Sequence, residues 1–99
     1  MAKVVIIDDE ASILELMSRV CKNVGLEVTG CQTGEAGLAA VRAELPELLI
    51  VDLRIGDVDG LQIIQQSRTS SPDTAIIMVT GLAVSSLRWK QCALVPLII

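Results

Sequence analysis

The sequence is poor in aromatic residues, with one Trp and neither Phe nor Tyr among its 99 residues. About half of the residues are nevertheless apolar and a fifth are charged, which is typical of a globular domain. The core must therefore be built from Val, Ile, Leu, Ala and Met. A domain of this size buries only about two-thirds of the surface that its unfolded chain exposes. The sequence thus predicts one small domain of modest stability.

The sequence also lacks an excess of basic residues, a long apolar run and a cysteine framework. The net charge of −4 argues against a surface that follows phosphate backbones, so we expect no direct nucleic-acid contact. No stretch is long enough to cross a membrane, and the N-terminus becomes charged too soon for a signal peptide. Cys21, Cys31 and Cys92 lack metal-ligand spacing, and their odd number favours a reducing compartment. We expect a cytoplasmic protein.

Four short apolar runs alternate with helical patterns along the chain. The runs at 4–7, 26–29, 48–51 and 75–79 predict strands, and the patterns at 11–24, 34–42 and 61–68 predict helices. Thr33 is placed to cap the second helix, and Gly25 follows the first. Alternating strands and helices favour an α/β fold. We predict a flavodoxin-like, doubly wound parallel sheet with the strand order 2-1-3-4.

Acidic and hydroxyl side chains stand where three of these strands end. Asp8 and Asp9 follow the first strand, Asp52 follows the third and Thr80 follows the fourth. Ligands of such sheets bind outside the carboxyl ends of the strands, so these side chains are expected to converge. Three close carboxylates need a compensating charge, and a hard divalent cation with oxygen ligands supplies it. The pattern predicts a Mg2+ site.

The same residues suit phosphoryl transfer. In phosphoryl transfer the protein mainly aligns the reacting groups and neutralises charge on the phosphoryl oxygens. Asp52 is the natural nucleophile, the cation neutralises the incoming group, and Thr80 supplies a hydroxyl.

The ordered motifs resemble those of response-regulator receiver domains of two-component signalling. That family has an apolar strand before Asp-Asp, another before Asp with a loop to Asp-Gly, and a third before Thr or Ser. The matching segments here are VVIIDDE at 4–10, LIVDLR at 49–54, DG at 59–60 and IIMVTG at 76–81.

The resemblance implies a role for each matching residue. Asp8 and Asp9 would be the metal pair, Asp52 the phosphoacceptor, and Thr80 the switch hydroxyl. The backbone carbonyl of Arg54 would be a further metal ligand. It also implies a sensor histidine kinase as the phosphodonor and a switch that controls transcription. Gly56 departs from the family, which usually has Pro there.

Each motif also has a structural explanation. Acids at 8–10 could only stabilise the N-terminus of the first helix, and Asp59 and Thr80 could be helix caps. A degenerate receiver that acts only through protein contacts is the leading functional alternative. A hydrolase with an Asp nucleophile is disfavoured, because such enzymes would have a second acid where Arg54 stands.

The family pattern stops after Thr80, since no fifth strand ending in Lys-Pro and no fifth helix can be recognised in 82–99. Loss of one base near Ala83 and Val84 would explain this. Read from the third base of each codon, Trp89 and Lys90 require a Glu, and neighbouring codons permit the missing segment. We expect a receiver core at 1–83 and an out-of-frame segment at 84–99. The restored frame resembles receivers of nitrogen-regulation-type activators.

The altered tail has two expected consequences. Without the family Lys, the phosphoryl group lacks a cationic partner, so activity should fall. Without the normal fifth strand, the fourth strand becomes an exposed edge, a template for pairing with another chain. Residues 93–95 and 97–99 could cover that edge. A homodimer formed through the fourth strand or the tail is the alternative.

Overall fold

The computed structural model of the chain describes residues 2–52, 54–55, 58–79 and 97–98. Its three helices are α1 (Ala11–Asn23), α2 (Gly34–Glu44) and α3 (Gly60–Ser70). Its longer strands are β1 (Lys3–Ile7), β2 (Glu27–Cys31), β3 (Leu48–Asp52) and β6 (Ala75–Val79). Three two-residue strands complete this set, namely β4 (Arg54–Ile55), β5 (Val58–Asp59) and β7 (Leu97–Ile98).

The longer strands form one parallel sheet in the order β2-β1-β3-β6. The predicted flavodoxin-like order 2-1-3-4 is thereby confirmed. Beside β6, the described residues add β7, which pairs in parallel through Met78 with Leu97 and Val79 with Ile98. Leu97 and Ile98 occupy the edge of β6, where the normal fifth strand of the family was predicted to be absent. They belong to the tail segment that was expected to be able to cover this edge.

Helices cover the sheet from both faces. On one face, α2 and α3 enclose a core that includes Val5, Ile7, Leu49 and Met78. On the other face, α1 packs against β1 and β2 over Val4, Ile6 and Cys21. Because successive strand residues point to opposite faces, the β-branched run of β1 supplies both cores, and each of its four residues at 4–7 is fully buried.

The predicted helix signals act as expected at two termini. The side chain of Thr33 accepts a hydrogen bond of 3.1 Å from the amide of Ala36 and caps α2. After α1, Gly25 adopts a φ of +89°, and the amide of Leu26 reaches back to the carbonyl of Cys21. That left-handed turn closes the helix, and a glycine adopts it without the strain that a Cβ would add.

The segment after β3 differs from the prediction. The receiver resemblance implied a loop from Asp52 to Asp59-Gly60, whereas β4 and β5 form a short antiparallel ribbon there. The reason is that pairing Arg54 with Asp59 and Ile55 with Val58 satisfies backbone groups locally. None of the described helices is both long enough and apolar enough to span a membrane.

Candidate functional site

The register of the sheet brings two of the predicted acids side by side. In the pairing of β1 with β3, Ile7 lies opposite Val51, so the next residues, Asp8 and Asp52, leave the strands at the same edge. The pairing of residues 4–7 with residues 48–51 sets this register, and burial of all four β1 side chains beneath the helices on the two faces holds the strand in place. The strand ends therefore position the acids.

The carboxylates of Asp8, Asp9 and Asp52 form a compact cluster. One oxygen from each lies within 4.8 Å of the others. Asp8 is buried, Asp52 is half-buried and Asp9 is exposed. Oxygens that share one Mg2+ at about 2.0–2.1 Å lie roughly 3–4 Å apart, so a small adjustment suffices for this cluster to hold a cation. The predicted convergence of the three acids is confirmed.

Backbone groups hold Asp8 in place. Its amide donates to the carbonyl of Cys31 at 3.0 Å, and its Oδ1 accepts from the amide of Glu10 at 2.9 Å. Glu10 is the N-cap residue of α1 and contributes no side-chain cap of its own. Asp8 therefore also satisfies a backbone donor directly before the first turn of α1. The carboxylate of Asp8 makes this hydrogen bond and also belongs to the cluster, so the two roles are compatible.

The other predicted site residues are placed as follows. Thr80 lies outside the described residues, directly after Val79, which is the register partner of Asp52. Arg54 lies two residues after Asp52, where it begins β4 and pairs with Asp59. Asp59 accepts a hydrogen bond of 2.9 Å from the amide of Leu61 and caps α3, which confirms its structural explanation. Asp57, in the segment between Asp52 and the Asp59-Gly60 pair, also lies outside the described residues.

The carbonyl of Cys31 was missed as part of the support for the site. No local sequence pattern predicts that this carbonyl accepts from Asp8, because its position depends on the pairing of β1 with β2. Within the part of the chain that the structure describes, the three aspartates form the single group of three ligating side chains close enough to share a metal ion.

A family model for the response regulator receiver domain matches residues 4–93. The chain belongs to this family. The receiver resemblance drawn from the strand-end motifs is thus confirmed, and the chain is a receiver domain of a two-component response regulator. The match covers the acidic cluster and extends past residue 83, where the receiver core was predicted to end.

Curated relatives of the receiver are regulatory proteins that are much longer than this chain. The chain is 36% identical to the transcriptional regulator ycf27 of Pyropia yezoensis over 80 residues, which is 81% of the chain and 32% of that protein. It is 33% identical to the photosynthetic apparatus regulatory protein RegA of Rhodovulum sulfidophilum, over 77% of the chain and 42% of that protein. It is 31% identical to NtrC of Salmonella typhimurium, over 77% of the chain and 16% of that protein. The chain thus spans less than half of each.

Solved structures share the fold of the receiver. A CheY-like receiver domain from Methanospirillum hungatei superposes with a TM-score of 0.89 at 26% identity, covering 100% of this chain and 80% of that one. A Burkholderia pseudomallei response regulator, solved with a phosphorylated aspartic acid, a calcium ion and citrate, matches with a TM-score of 0.81 at 26% identity. That match covers 87% of this chain and 51% of the other.

Proposed function

We propose that this receiver is a phosphorylation switch in which Asp52 accepts a phosphoryl group from a sensor histidine kinase. The observation that carries the proposal is the cluster of Asp8, Asp9 and Asp52 carboxylates within 4.8 Å. Phosphorylated aspartate and a divalent cation in the Burkholderia relative support it. We place the protein in the cytoplasm, where such a kinase would meet it.

In this proposal the acidic cluster would hold Mg2+, and the ion would supply positive charge to neutralise the phosphoryl oxygens. Asp8, Asp9 and Asp52 would each supply a carboxylate oxygen, and the amide of Glu10 holds the carboxylate of Asp8. The carbonyl of Arg54 completes the set of protein ligands. The carboxylate of Asp52 attacks phosphorus, the bond from phosphorus to the donor nitrogen breaks, and a proton replaces the phosphoryl group on the leaving imidazole. The hydroxyl of Thr80 then turns toward the phosphate and reads its presence.

A small-molecule phosphodonor tests this directly. The protein is incubated with Mg2+ and phosphoramidate, and intact mass and peptide mapping follow one added phosphoryl group. We expect the group on Asp52, no addition without Mg2+, and none in Asp52→Asn. Asp73→Asn is the matched control, because it makes the same chemical change at an exposed turn outside the cluster. Unchanged mass of the wild-type chain, together with no effect of beryllofluoride, would favour the degenerate receiver that acts only through contacts.

We also propose that the receiver controls transcription and that residues 84–99 are out of frame. Two of the relatives, ycf27 and NtrC, are named as transcriptional regulators, which supports a role in transcription for the protein that carries this receiver. A nitrogen-regulation type rests on the restored reading frame alone, because ycf27 and RegA match at least as well as NtrC. Sequencing of codons 80–99 tests the proposed frameshift, and an unbroken native frame would refute it.

Two consequences of the altered tail are also proposed, one from the missing family Lys and one from the missing fifth strand. Phosphorylation should be slower than in receivers that keep the Lys, which single-turnover kinetics would reveal. A homodimer through the edge of β6 or by tail exchange is also proposed, although β7 pairs with this edge within the chain. Removal of residues 97–99 should then change the mass measured by light scattering.

A further inference from the structure

Three consecutive acids follow β1, and the structure gives the third a different position from the first two. Asp8 and Asp9 place carboxylate oxygens in the acidic cluster with Asp52, whereas in the described part of the chain the carboxylate of Glu10 is not a member of that group. The side chain of Glu10 is exposed and makes no hydrogen bond that would cap α1. The backbone of Glu10, by contrast, contacts the site.

The amide of Glu10 holds the side chain of Asp8 by donating to its Oδ1 at 2.9 Å. Asp8 is 4% exposed, so water has little access to its carboxylate and a donor from the protein takes the place of water. A hydrogen bond from an amide to a carboxylate is charge-assisted and is roughly twice as strong as a bond between neutral groups. This bond therefore restricts the rotation of a carboxylate that belongs to the cluster.

Regular structure fixes both partners of this hydrogen bond. Glu10 is the N-cap residue of α1, and its carbonyl accepts from the amide of Leu14 at 3.0 Å, so the first turn of the helix holds its backbone. The amide of Asp8 donates to the carbonyl of Cys31 at 3.0 Å, which ties the backbone of Asp8 to the end of β2. The carboxylate of Asp8 is therefore oriented by a strand and by a helix together.

We propose that Glu10 is a positioning residue for the metal ion and that it acts through its backbone amide, not through its carboxylate. This inference rests on the proposed function, because it requires the acidic cluster to bind Mg2+. Groups that orient a metal ligand typically change metal affinity by about 10- to 100-fold when they are removed. Loss of the Glu10 amide should therefore weaken Mg2+ binding by at least about tenfold.

The first test replaces the amide bond between Asp9 and Glu10 by an ester, which removes the N–H donor and keeps every side chain. Ligation of a synthetic segment 1–20 to residues 21–99 gives this full-length chain, because the second segment begins with Cys21. The same ligation with the ordinary amide bond is the control. Titration calorimetry with Mg2+ measures both dissociation constants, and we expect that of the ester chain to be at least about tenfold higher.

Two variants separate the amide of Glu10 from its carboxylate and from fold stability in general. Glu10→Gln keeps the amide and removes an exposed charge that salt screens, so at physiological ionic strength it should weaken Mg2+ binding far less than the ester does. Asp59→Ala loses a hydrogen bond of the same length, 2.9 Å, from a backbone amide to an aspartate, but in α3 and outside the cluster. It should lower the free energy of unfolding in urea and leave the Mg2+ affinity of the folded chain unchanged. A purely structural role of the Glu10 amide would make the ester chain behave in the same way.

Hydrogen exchange of the unmodified chain is the second test, and it does not depend on the folding of any variant. The amides of Glu10 and Leu61 each donate to an aspartate at 2.9 Å, and of these two aspartates Asp8 belongs to the cluster while Asp59 does not. Saturating Mg2+ should slow exchange at Glu10 by a larger factor than at Leu61, because a bound ion fixes the carboxylate of Asp8.

The outcomes distinguish this inference from the proposed function. Equal Mg2+ affinities of the ester chain and its amide control, or equal slowing of exchange at Glu10 and Leu61, overturn the inference and leave the proposed function standing. A loss of affinity in Glu10→Gln as large as that of the ester chain assigns the role to the carboxylate and overturns it as well. A wild-type chain that binds no Mg2+ overturns both.

Discussion

Asp8 and Asp52 follow the register partners Ile7 and Val51 on neighbouring parallel strands, and their carboxylates meet at one edge of the sheet. Everything proposed for the site depends on this relationship. The buried residues of β1 and β3 hold the register that brings Asp8 and Asp52 together. A ligand that needs both carboxylates therefore binds the folded chain and not the unfolded one. Ligand affinity and fold stability are therefore linked.

Asp9→Asn should weaken the stabilisation of the fold by Mg2+. At a concentration of Mg2+ about 100 times the dissociation constant, a ligand of the folded state adds about 2.7 kcal/mol to the free energy of unfolding. Removal of one charged ligand should lose most of this gain. Thermal unfolding with and without Mg2+ measures it, with Asp73→Asn as the control. Equal gains in wild type and Asp9→Asn would exclude Asp9 from the metal site.

Asp59→Ala should destabilise α3 without affecting the metal site. The side chain of Asp59 caps the helix through the amide of Leu61, and loss of such a cap costs about 1 kcal/mol. Asp59→Asn should recover most of this, because an amide oxygen also caps. Urea denaturation measures the stabilities, and phosphorylation of both variants should match wild type. A loss of Mg2+ binding in the folded Asp59→Asn variant would place this carboxylate in the metal site instead.

Gly37→Ala should strain the contact between α2 and β1. A Cβ at Gly37 would lie 2.1 Å from Cδ1 of Ile7, whose side chain is fully buried. Overpacking of this kind costs about 1–3 kcal/mol. Ile7→Ala removes all three of the nearest atoms, which belong to the Ile7 side chain, so the double variant should lose less stability than the two single effects summed. Strictly additive losses in urea denaturation would show that Ile7 is not the obstacle.

The sequence predicted the site because each decisive strand is an apolar run that ends at a polar residue. The observed β6, Ala75–Val79, has the predicted bounds for that reason. β2 was expected at 26–29 but extends to Cys31, since Gly30 and Cys31 pair with β1 although their local preference for a strand is weak. The β4–β5 ribbon and the pairing of β7 were beyond prediction for a similar reason. Both depend on contacts between short segments without a periodic pattern of their own.

Alkylation of Cys21 and Cys31 should be slow in the native protein and should speed up on unfolding. Burial raises the pKa of both thiols above the ordinary value of 9.0, and the Glu44 carboxylate raises that of Cys31 further. Since the thiolate is the nucleophile, iodoacetamide at pH 8 should modify each native thiol at least about tenfold more slowly than in urea. Peptide mapping over time measures both rates, and equal rates in the two states would contradict the burial.

The same burial gives a pH dependence of stability with a definite sign. A thiol whose pKa is raised in the folded state binds its proton more tightly there, so its contribution is fully present below about pH 9.0. That contribution is lost as the pH rises through the folded-state pKa. Urea denaturation of the wild type should therefore show falling stability above pH 9.0. Cys31→Ala should flatten that fall, because the mutant lacks one of the two titrating thiols, whereas an unchanged slope would place the alkaline transition elsewhere.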